Sequence, residues 1–498
     1  MRDKSLRSRL HLIRYILLST LFSLIFVLAI GIYVVCAWYK KTFDLEFKEL
    51  LYTLASPLKG TGESTVDLIV RSCLPSILIA LGFAVIVAVA VYLIKHRIRI
   101  LAPGCALLSL CLLVACSIFG VYALRIPAYI KIMKERTTIY EEQYVDPESV
   151  AITAEGETKN LIYIYLESME TAYTSKSRGG AQLFNYIPGL YKLAEANVSF
   201  SSTEKLGGFH TPLGTGWTMA ALLATTSGIP FSFPLGENGQ NAMSRYEYFA
   251  SGLTTLGDIL EEKGYRQEFL CGSDAAFAGR DNYFSQHGNY EIFDYNTAIE
   301  EGYIEKDYYV WWGLEDQILY EIAKDELTEL AASGEPFNFT MLTVDTHHVN
   351  GYFCSSCESK YTSRLGNVLA CADRQITEFV SWIMEQDFYE DSVIVITGDH
   401  PRMDTTLVGK LDYDDRTIYN CFINSAVTPI GETVNRTFTS FDIFPTTLAA
   451  LGFNIEGDRL GLGVNMFSGL PTLAEMMGYK ELETEINKYS EYYILEFS

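Results

Sequence analysis

Three long apolar stretches in the first quarter of the chain constrain its fold more than any other feature. Residues 12–38 carry no charge after Arg14, residues 66–94 carry only Asp67 and Arg71 near one end, and residues 100–124 carry none. Each exceeds the roughly 20 residues that a helix needs to cross the hydrocarbon of a bilayer. Lipid offers no partners to backbone N–H and C=O groups, so a segment of this kind must bond internally, as a helix does. A cleaved signal peptide is the alternative for the first stretch, but its apolar core is too long and lacks a convincing small-residue cleavage site. Arg2, Lys4, Arg7 and Arg9 precede the first stretch, and Lys95, Arg97 and Arg99 lie between the second and third. That bias marks both segments as cytoplasmic, so three crossings would deliver everything after about Leu124 to the outside. Lys40, Lys41 and Lys48 on the first outer loop weaken the bias, accompanied by Asp44, Glu46 and Glu49.

With 498 residues, the chain has room for this membrane region and one large globular domain. The expected division is a membrane anchor over 1–124, a juxtamembrane connector over 125–159 and a catalytic domain over 160–498. Within the connector, 125–146 is charged and aromatic with Pro127 at the membrane exit, and 148–159 is a polar linker. Beyond it, strand-like runs at 161–166, 337–344 and 393–397 alternate with helical patterns at 255–263, 312–330, 367–385 and 441–451. Such alternation predicts an α/β fold with a mostly parallel sheet and helices on both faces. Residues 473–498 are acidic and rich in Tyr, and read as a peripheral helix. A net charge of −23 argues against nucleic acid as a partner. It does not argue against a phospholipid, because a divalent cation and a few local basic groups suffice to bind a phosphodiester.

Three distant segments carry the candidate chemistry. Gly214-Thr215-Gly216-Trp217-Thr218 places a hydroxyl at a Gly-rich turn before an apolar helical run, where Thr218 is either an activated nucleophile or an ordinary N-cap. The apolar run 161–166 ends in Glu167, and the β-branched run 393–397 ends in Gly398-Asp399-His400. Ligands of open parallel sheets bind beyond the carboxyl ends of the strands, so Glu167, Asp399 and His400 can converge there with Thr218. Two carboxylates, an imidazole and a hydroxyl form a mostly oxygen-donor set suited to Mn²⁺, Mg²⁺ or Zn²⁺. Asp345-Thr346-His347-His348 also follows a strand-like run and emerges on the same edge. Trp217, Trp311 and Trp312 either face lipid or sugar or pack in the core.

These segments resemble the alkaline phosphatase and sulfatase superfamily, in particular its membrane-anchored lipoteichoic acid synthases and the phosphoglycerol transferases that decorate periplasmic glucans. The resemblance runs from about Tyr140 to near Thr472. Its markers are Leu166-Glu167-Ser168, Thr215-Gly216-Trp217-Thr218, Gly279-Arg280-Asp281, Asp345-Thr346-His347-His348, Thr397-Gly398-Asp399-His400 and Phe441-Asp442-Ile443-Phe444-Pro445. The Trp-Thr-Met-Ala and Asp-Thr-His-His forms lie closer to the glucan-modifying subgroup. The resemblance implies a sulfatase-like sandwich behind the anchor, with Thr218 as nucleophile and Glu167, Thr218, Asp399 and His400 as ligands of one divalent metal, Mn²⁺ foremost. It further implies Arg280 and His347 as substrate contacts, with His348 either a companion or a surface residue. The activity implied is transfer of glycerophosphate from phosphatidylglycerol to an extracytoplasmic glycan or glycolipid, through a phospho-threonine and with release of diacylglycerol. A phosphoethanolamine transferase of the same fold and a non-catalytic glycopolymer-binding membrane protein are the alternatives. No C-x-P-S-R sequence is present, which argues against formylglycine chemistry. Lipoteichoic acid synthases carry a His upstream of the Arg280 motif, where this chain has Cys271-Gly272.

Of the ten cysteines, Cys36, Cys73, Cys105, Cys111 and Cys116 sit in the apolar stretches as small fillers. Cys354-Ser355-Ser356-Cys357 resembles half a zinc site, but no second C-x-x-C accompanies it. A disulfide within Cys354, Cys357 and Cys371 is therefore expected, with free thiols as the alternative.

Overall fold

In the computed structural model, residues 2–42, 47, 50–51, 63–94, 101–154, 156, 158–232, 248–409 and 411–497 are described. The charges Asp44, Glu46, Lys48, Glu49, Lys95, Arg97 and Arg99, used above for orientation, lie outside these residues. The chain divides into two compact units, Met1–Phe47 with Glu63–Lys131, and Lys48–Gly62 with Ile132–Ser498.

The first unit contains the helices Arg2–Thr42, Glu63–Ile94 and Leu101–Ala123. Within them Leu17–Thr42, Val70–Ala90 and Pro103–Ala123 are long and apolar enough to cross a membrane. Large apolar side chains such as Ile79, Ile86, Leu107 and Leu108 are exposed along them. In water such a surface would be costly to hydrate; in lipid it meets its own kind.

The second unit is built on six strands, β1 Asn160–Leu166, β2 Arg266–Cys271, β3 Glu291–Phe293, β4 Phe337–Leu342, β5 Ser392–Gly398 and β6 Asn420–Ile423. Their order is β3-β2-β4-β1-β5-β6, parallel throughout except for the antiparallel edge strand β6. The sheet explains the unbroken apolar runs, because both of its faces are covered. Leu161, Tyr163, Tyr165, Val393 and Val395 enter the core on one face, with the helices Thr218–Ser227 and Ser440–Ala450. Ile162, Ile164, Ile394 and Ile396 enter the core on the other, with the helices Asp316–Ala332 and Arg364–Met384. Alternate residues thus point to opposite cores, as the period-2 pleat requires.

Two segments pack more deeply than their polarity suggests. Ahead of β1, Ile152–Ala154 pairs antiparallel with Phe453–Ile455, and Ile139 and Tyr140 are buried. At the other end of the chain, residues 473–498 do not form one peripheral helix. They form the short helices Leu473–Met477, Tyr479–Asn487 and Glu491–Phe497, whose Leu473, Leu482, Ile486, Tyr493 and Phe497 join the core. Tyr140 packs edge-on against Tyr493 with ring centroids 5.1 Å apart, and Tyr493 donates its hydroxyl hydrogen to the Pro230 carbonyl at 2.6 Å. The acidic side chains between these anchors had masked the apolar face.

Replacing Tyr493 by Ala should therefore cost about 3–5 kcal/mol, as for other buried aromatics. Thermal and denaturant unfolding of the detergent-solubilised chain would measure it. A change within about 0.5 kcal/mol would mean that the tail is peripheral.

Candidate active site

Level strand ends bring the candidate residues together. Leu166 pairs with Gly398, and Tyr165 with Leu342, so β1, β4 and β5 finish side by side. The residues that follow, Glu167, Asp345 and Asp399, leave the sheet on one edge. Gly398 is required at this junction because a Cβ there would sit 2.2 Å from the Met169 carbonyl oxygen. Ser168 turns the chain with φ of 53° and donates its amide to Asp399 Oδ1 at 2.7 Å, while its hydroxyl donates to Glu167 Oε1 at 2.6 Å.

One ligand atom from each of Glu167, Asp399 and His400 lies within 4.8 Å of the others, and all three residues are buried. His400 Nδ1 lies 2.8 Å from the Pro401 carbonyl, which can only accept; the ring therefore carries its proton there and presents a lone pair at Nε2. Asp399 Oδ1 accepts from the amides of Ser168 and His400, each at 2.7 Å, whereas its Oδ2 is buried with no hydrogen-bond partner. That oxygen stands 3.2 Å from His400 Nε2. Two lone-pair atoms facing one another in a dry site repel, and a cation between them reverses the sign. Burial and the neighbouring Glu167 charge push the Asp399 carboxyl up to about 7. Burial also opposes ionisation of Glu167, but the charge His347 and His400 carry when protonated, with the Ser168 and Asp399 contacts, outweighs it and holds that carboxyl below its usual value. The donor set thus fits a divalent cation.

Thr218 is the first residue of the helix Thr218–Ser227, and Trp217 takes the N-cap position without any side-chain cap bond. The capping role is thereby removed from Thr218. Its half-buried hydroxyl instead lies 3.3 Å from His400 Nε2 and 3.5 Å from Glu167 Oε2. The ten-residue helix behind it directs its free amides toward the same space. Gly214, at φ of 88°, makes the turn that delivers the hydroxyl.

Glu167 and Thr218 line a narrow cleft with Ser273, Phe277, Arg280, Trp312 and His347. Arg280 does not pair with Asp281. Its Nε donates to the Phe277 carbonyl at 3.1 Å, and one Nη donates to Ser273 Oγ at 3.0 Å and to the Asp274 carbonyl at 2.8 Å. The other Nη keeps its two hydrogens for a ligand. His347 Nδ1 donates to the His348 carbonyl at 2.9 Å, and its ring packs on Trp312 at 4.6 Å. Burial lowers the His347 pKa, so the neutral ring is favoured, with its Nε2 lone pair free of that bond. His348 is buried rather than at the surface, and Cys271, in place of a polar substrate contact, is buried with its thiol on the Ser273 carbonyl at 3.3 Å.

Several positioning residues carried no readable sequence signal. Asp316 accepts the amides of Val344 and Asp345 at 2.7 and 3.1 Å, which fixes the end of β4. Thr346 donates its hydroxyl to the Glu167 carbonyl at 2.5 Å. Arg416 grips Glu170 with two bonds of 2.9 and 2.6 Å, and Arg402, buried beside it, donates to the Thr346 carbonyl at 2.6 Å. All are side chains whose partners lie far away in sequence, so spacing alone does not reveal them.

Known proteins are similar in sequence to this chain. Phosphoglycerol transferase I of Xanthomonas campestris pv. campestris is 31% identical over 310 residues, covering 59% of this chain and 42% of that protein. Phosphoglycerol transferase I of Salmonella choleraesuis is 30% identical over 445 residues, covering 87% of this chain and 54% of that protein. The chain thus spans about half the length of the curated relatives it matches. The crystal structure of the lipoteichoic acid synthase LtaP from Listeria monocytogenes is 19% identical, with a TM-score of 0.49 over 64% of this chain and 79% of that one. The family model described as Sulfatase matches residues 159–453, more than half of the sequence and all of the strands that build the site, and the chain belongs to the sulfatase family.

Proposed function

We propose that this chain is a membrane-anchored, metal-dependent phosphoglycerol transferase, which moves glycerophosphate from phosphatidylglycerol to a hydroxyl of an extracytoplasmic glycan or glycolipid. The observation that carries the reading is the Thr218 hydroxyl, relieved of capping and held at 3.3 Å from His400 and 3.5 Å from Glu167 in a cleft shared with Arg280 and His347. The curated relatives named phosphoglycerol transferase I support the choice of transferred group.

A divalent cation held by Glu167, Asp399, His400 and Thr218 would favour the threonine alkoxide and offset phosphate charge, and the oxygen-rich donor set suits Mn²⁺ first, with Mg²⁺ or Zn²⁺ as the other candidates. Thr218 Oγ attacks phosphorus, the bond to the diacylglycerol oxygen breaks, and glycerophosphate is held on Thr218. Arg280 orients the phosphate through its remaining Nη hydrogens, and the amides at the start of the helix Thr218–Ser227 face its oxygens. His347 Nε2 takes the proton that Thr218 gives up and hands it to the departing diacylglycerol, then takes one from the acceptor hydroxyl and returns it to Thr218 as that ester is displaced. Trp312 and Phe277 wall the cleft, which raises the strength of each polar contact inside it. An outward-facing domain behind three membrane crossings meets a lipid donor without a soluble carrier.

Thr218→Ala should stay folded with an unchanged melting temperature, yet release diacylglycerol about 10⁴-fold more slowly or worse and gain no glycerophosphoryl mass. Intact-protein mass spectrometry after incubation with phosphatidylglycerol reads the adduct, and near wild-type turnover would reject Thr218 as the nucleophile. Phosphatidylethanolamine in the same assay separates the two donor classes.

Glu167→Gln, Asp399→Asn and His400→Ala should each lower metal occupancy, as measured by elemental analysis. Below about pH 7 the Asp399 carboxyl holds a proton that the cation must displace, so affinity should weaken as pH falls and strengthen as it rises through this value. Full turnover in metal-free protein would overturn the mechanism.

For orientation, protease added to intact spheroplasts should digest the domain beyond residue 160, as the flanking basic residues require. Complete protection would reverse it.

A further inference from the structure

Cys354, Cys357 and Cys371 lie outside the cleft and have no part in the reaction above. The expected disulfide is not formed, and all three are free thiols. Cys354 Sγ lies 3.4 Å from Cys357 Sγ and 3.7 Å from Cys371 Sγ, well beyond the roughly 2.05 Å of a disulfide. All three sulfurs fall within 4.8 Å of one another. The arrangement is a triangle rather than a pair with a bystander. Thiolates bound to a tetrahedral Zn²⁺ at about 2.3 Å stand about 3.8 Å apart, which is close to the separations here.

Polar side chains surround the sulfurs. Gln375 Nε2 donates to Cys371 Sγ at 3.4 Å and Arg374 Nη2 approaches the same atom at 3.6 Å, while Ser356 Oγ lies 3.2 Å from Cys354 Sγ and 3.5 Å from Cys371 Sγ. Arg374 also donates to the Ser356 carbonyl at 2.6 Å, bracing the turn between the first two cysteines. Gln375, only 8% exposed, has an Oε1 with no hydrogen-bond partner. Its amide faces the trio through Nε2, on Cys371 Sγ.

We propose that Cys354, Cys357 and Cys371 form a second metal site, a three-thiolate centre for a zinc-class cation, with a water completing four-coordination. On binding, three S–H bonds break, three S–metal bonds form and three protons leave to solvent. The resulting centre carries one net negative charge, beside Arg374, which also faces Glu358 at 3.7 Å and Glu378 at 3.8 Å. Its place in the chain gives it a structural role. Cys354 and Cys357 end the loop that leaves β4 through His347, and Cys371 belongs to the helix Arg364–Met384. The loop already folds back on itself, with the Tyr352 amide donating to the Asp345 carbonyl at 2.7 Å and the Gly351 amide to the His347 carbonyl at 3.2 Å. A cation shared with the helix clamps the far end of that loop and holds His347 over the cleft.

The full chain in detergent, carrying Asp399→Asn to weaken the other centre, should retain one zinc per chain. Cys371→Ser in that background should lower the retained zinc about tenfold or more. Cobalt substitution should give a thiolate-to-metal charge-transfer band that vanishes with Cys354→Ser or Cys371→Ser. Should these variants fail to fold, the Asp399→Asn chain supplies the test unaided: a mercurial thiol reagent should release the zinc in proportion to the cysteines it modifies. A disulfide within the trio in non-reducing peptide maps overturns the proposal, as does alkylation of all three thiols at full rate in the presence of zinc.

Discussion

The site depends on the in-register parallel pairing of β1 with β4 and β5. Because Leu166 stands opposite Gly398, the first residues beyond the ladder, Glu167 and Asp399, are neighbours although more than two hundred positions separate them. A slip of one residue would turn Asp399 into the opposite core and expose an apolar side chain in its place. Burial of both sheet faces makes such a slip costly, so the same apolar packing that stabilises the domain also sets the ligand geometry. The bonds from the Ser168 and His400 amides to Asp399 Oδ1 then lock the two strand exits together.

Three central strands, the longer helices and the sulfatase-like fold were legible in the sequence for a physical reason. Apolar runs bounded by polar turns are what a two-faced parallel sheet requires, and Glu167, Asp399 and His400 are the first polar residues after two such runs. Thr218 was legible as a hydroxyl before a helix, but its exact role was not, since N-cap and first helical turn differ by one position; the structure gives the cap to Trp217. Strands β2, β3 and β6 were missed. The Arg266–Cys271 strand mixes charged and apolar residues because its outer part borders Glu291 and Glu329, and the antiparallel Asn420–Ile423 is only four residues long. The tail misled because its buried residues are spread over three short helices, none long enough to show a clear period.

The disulfide expectation failed on similar grounds. Spacing brings Cys354 and Cys357 into one turn, but only the fold shows that Cys371 approaches both from a helix. Three sulfurs at comparable distances favour a shared partner over a choice between pairs.

Electrostatics set the strongest demand on the site. Glu167, Asp399 and His400 are all nearly inaccessible to water, in a protein whose net charge is −23. Two carboxylates in such a place cannot both ionise cheaply, which is why Asp399 is pushed up to about 7 while the imidazoles hold Glu167 down. The surrounding protein supplies little relief, since Arg416 is committed to Glu170 and Arg402 to Asp404 and the Thr346 carbonyl. The cationic groups nearest the reacting space are instead spent on shaping it. Toward the cleft, one Nη of Arg280 and the first amides of the helix Thr218–Ser227 stay unengaged. Both act on phosphate oxygens, whereas neither can neutralise the buried carboxylates. In the proposed function a cation among the carboxylates and an anion above Thr218 therefore answer separate needs, and a phosphate ester between them would satisfy both at once.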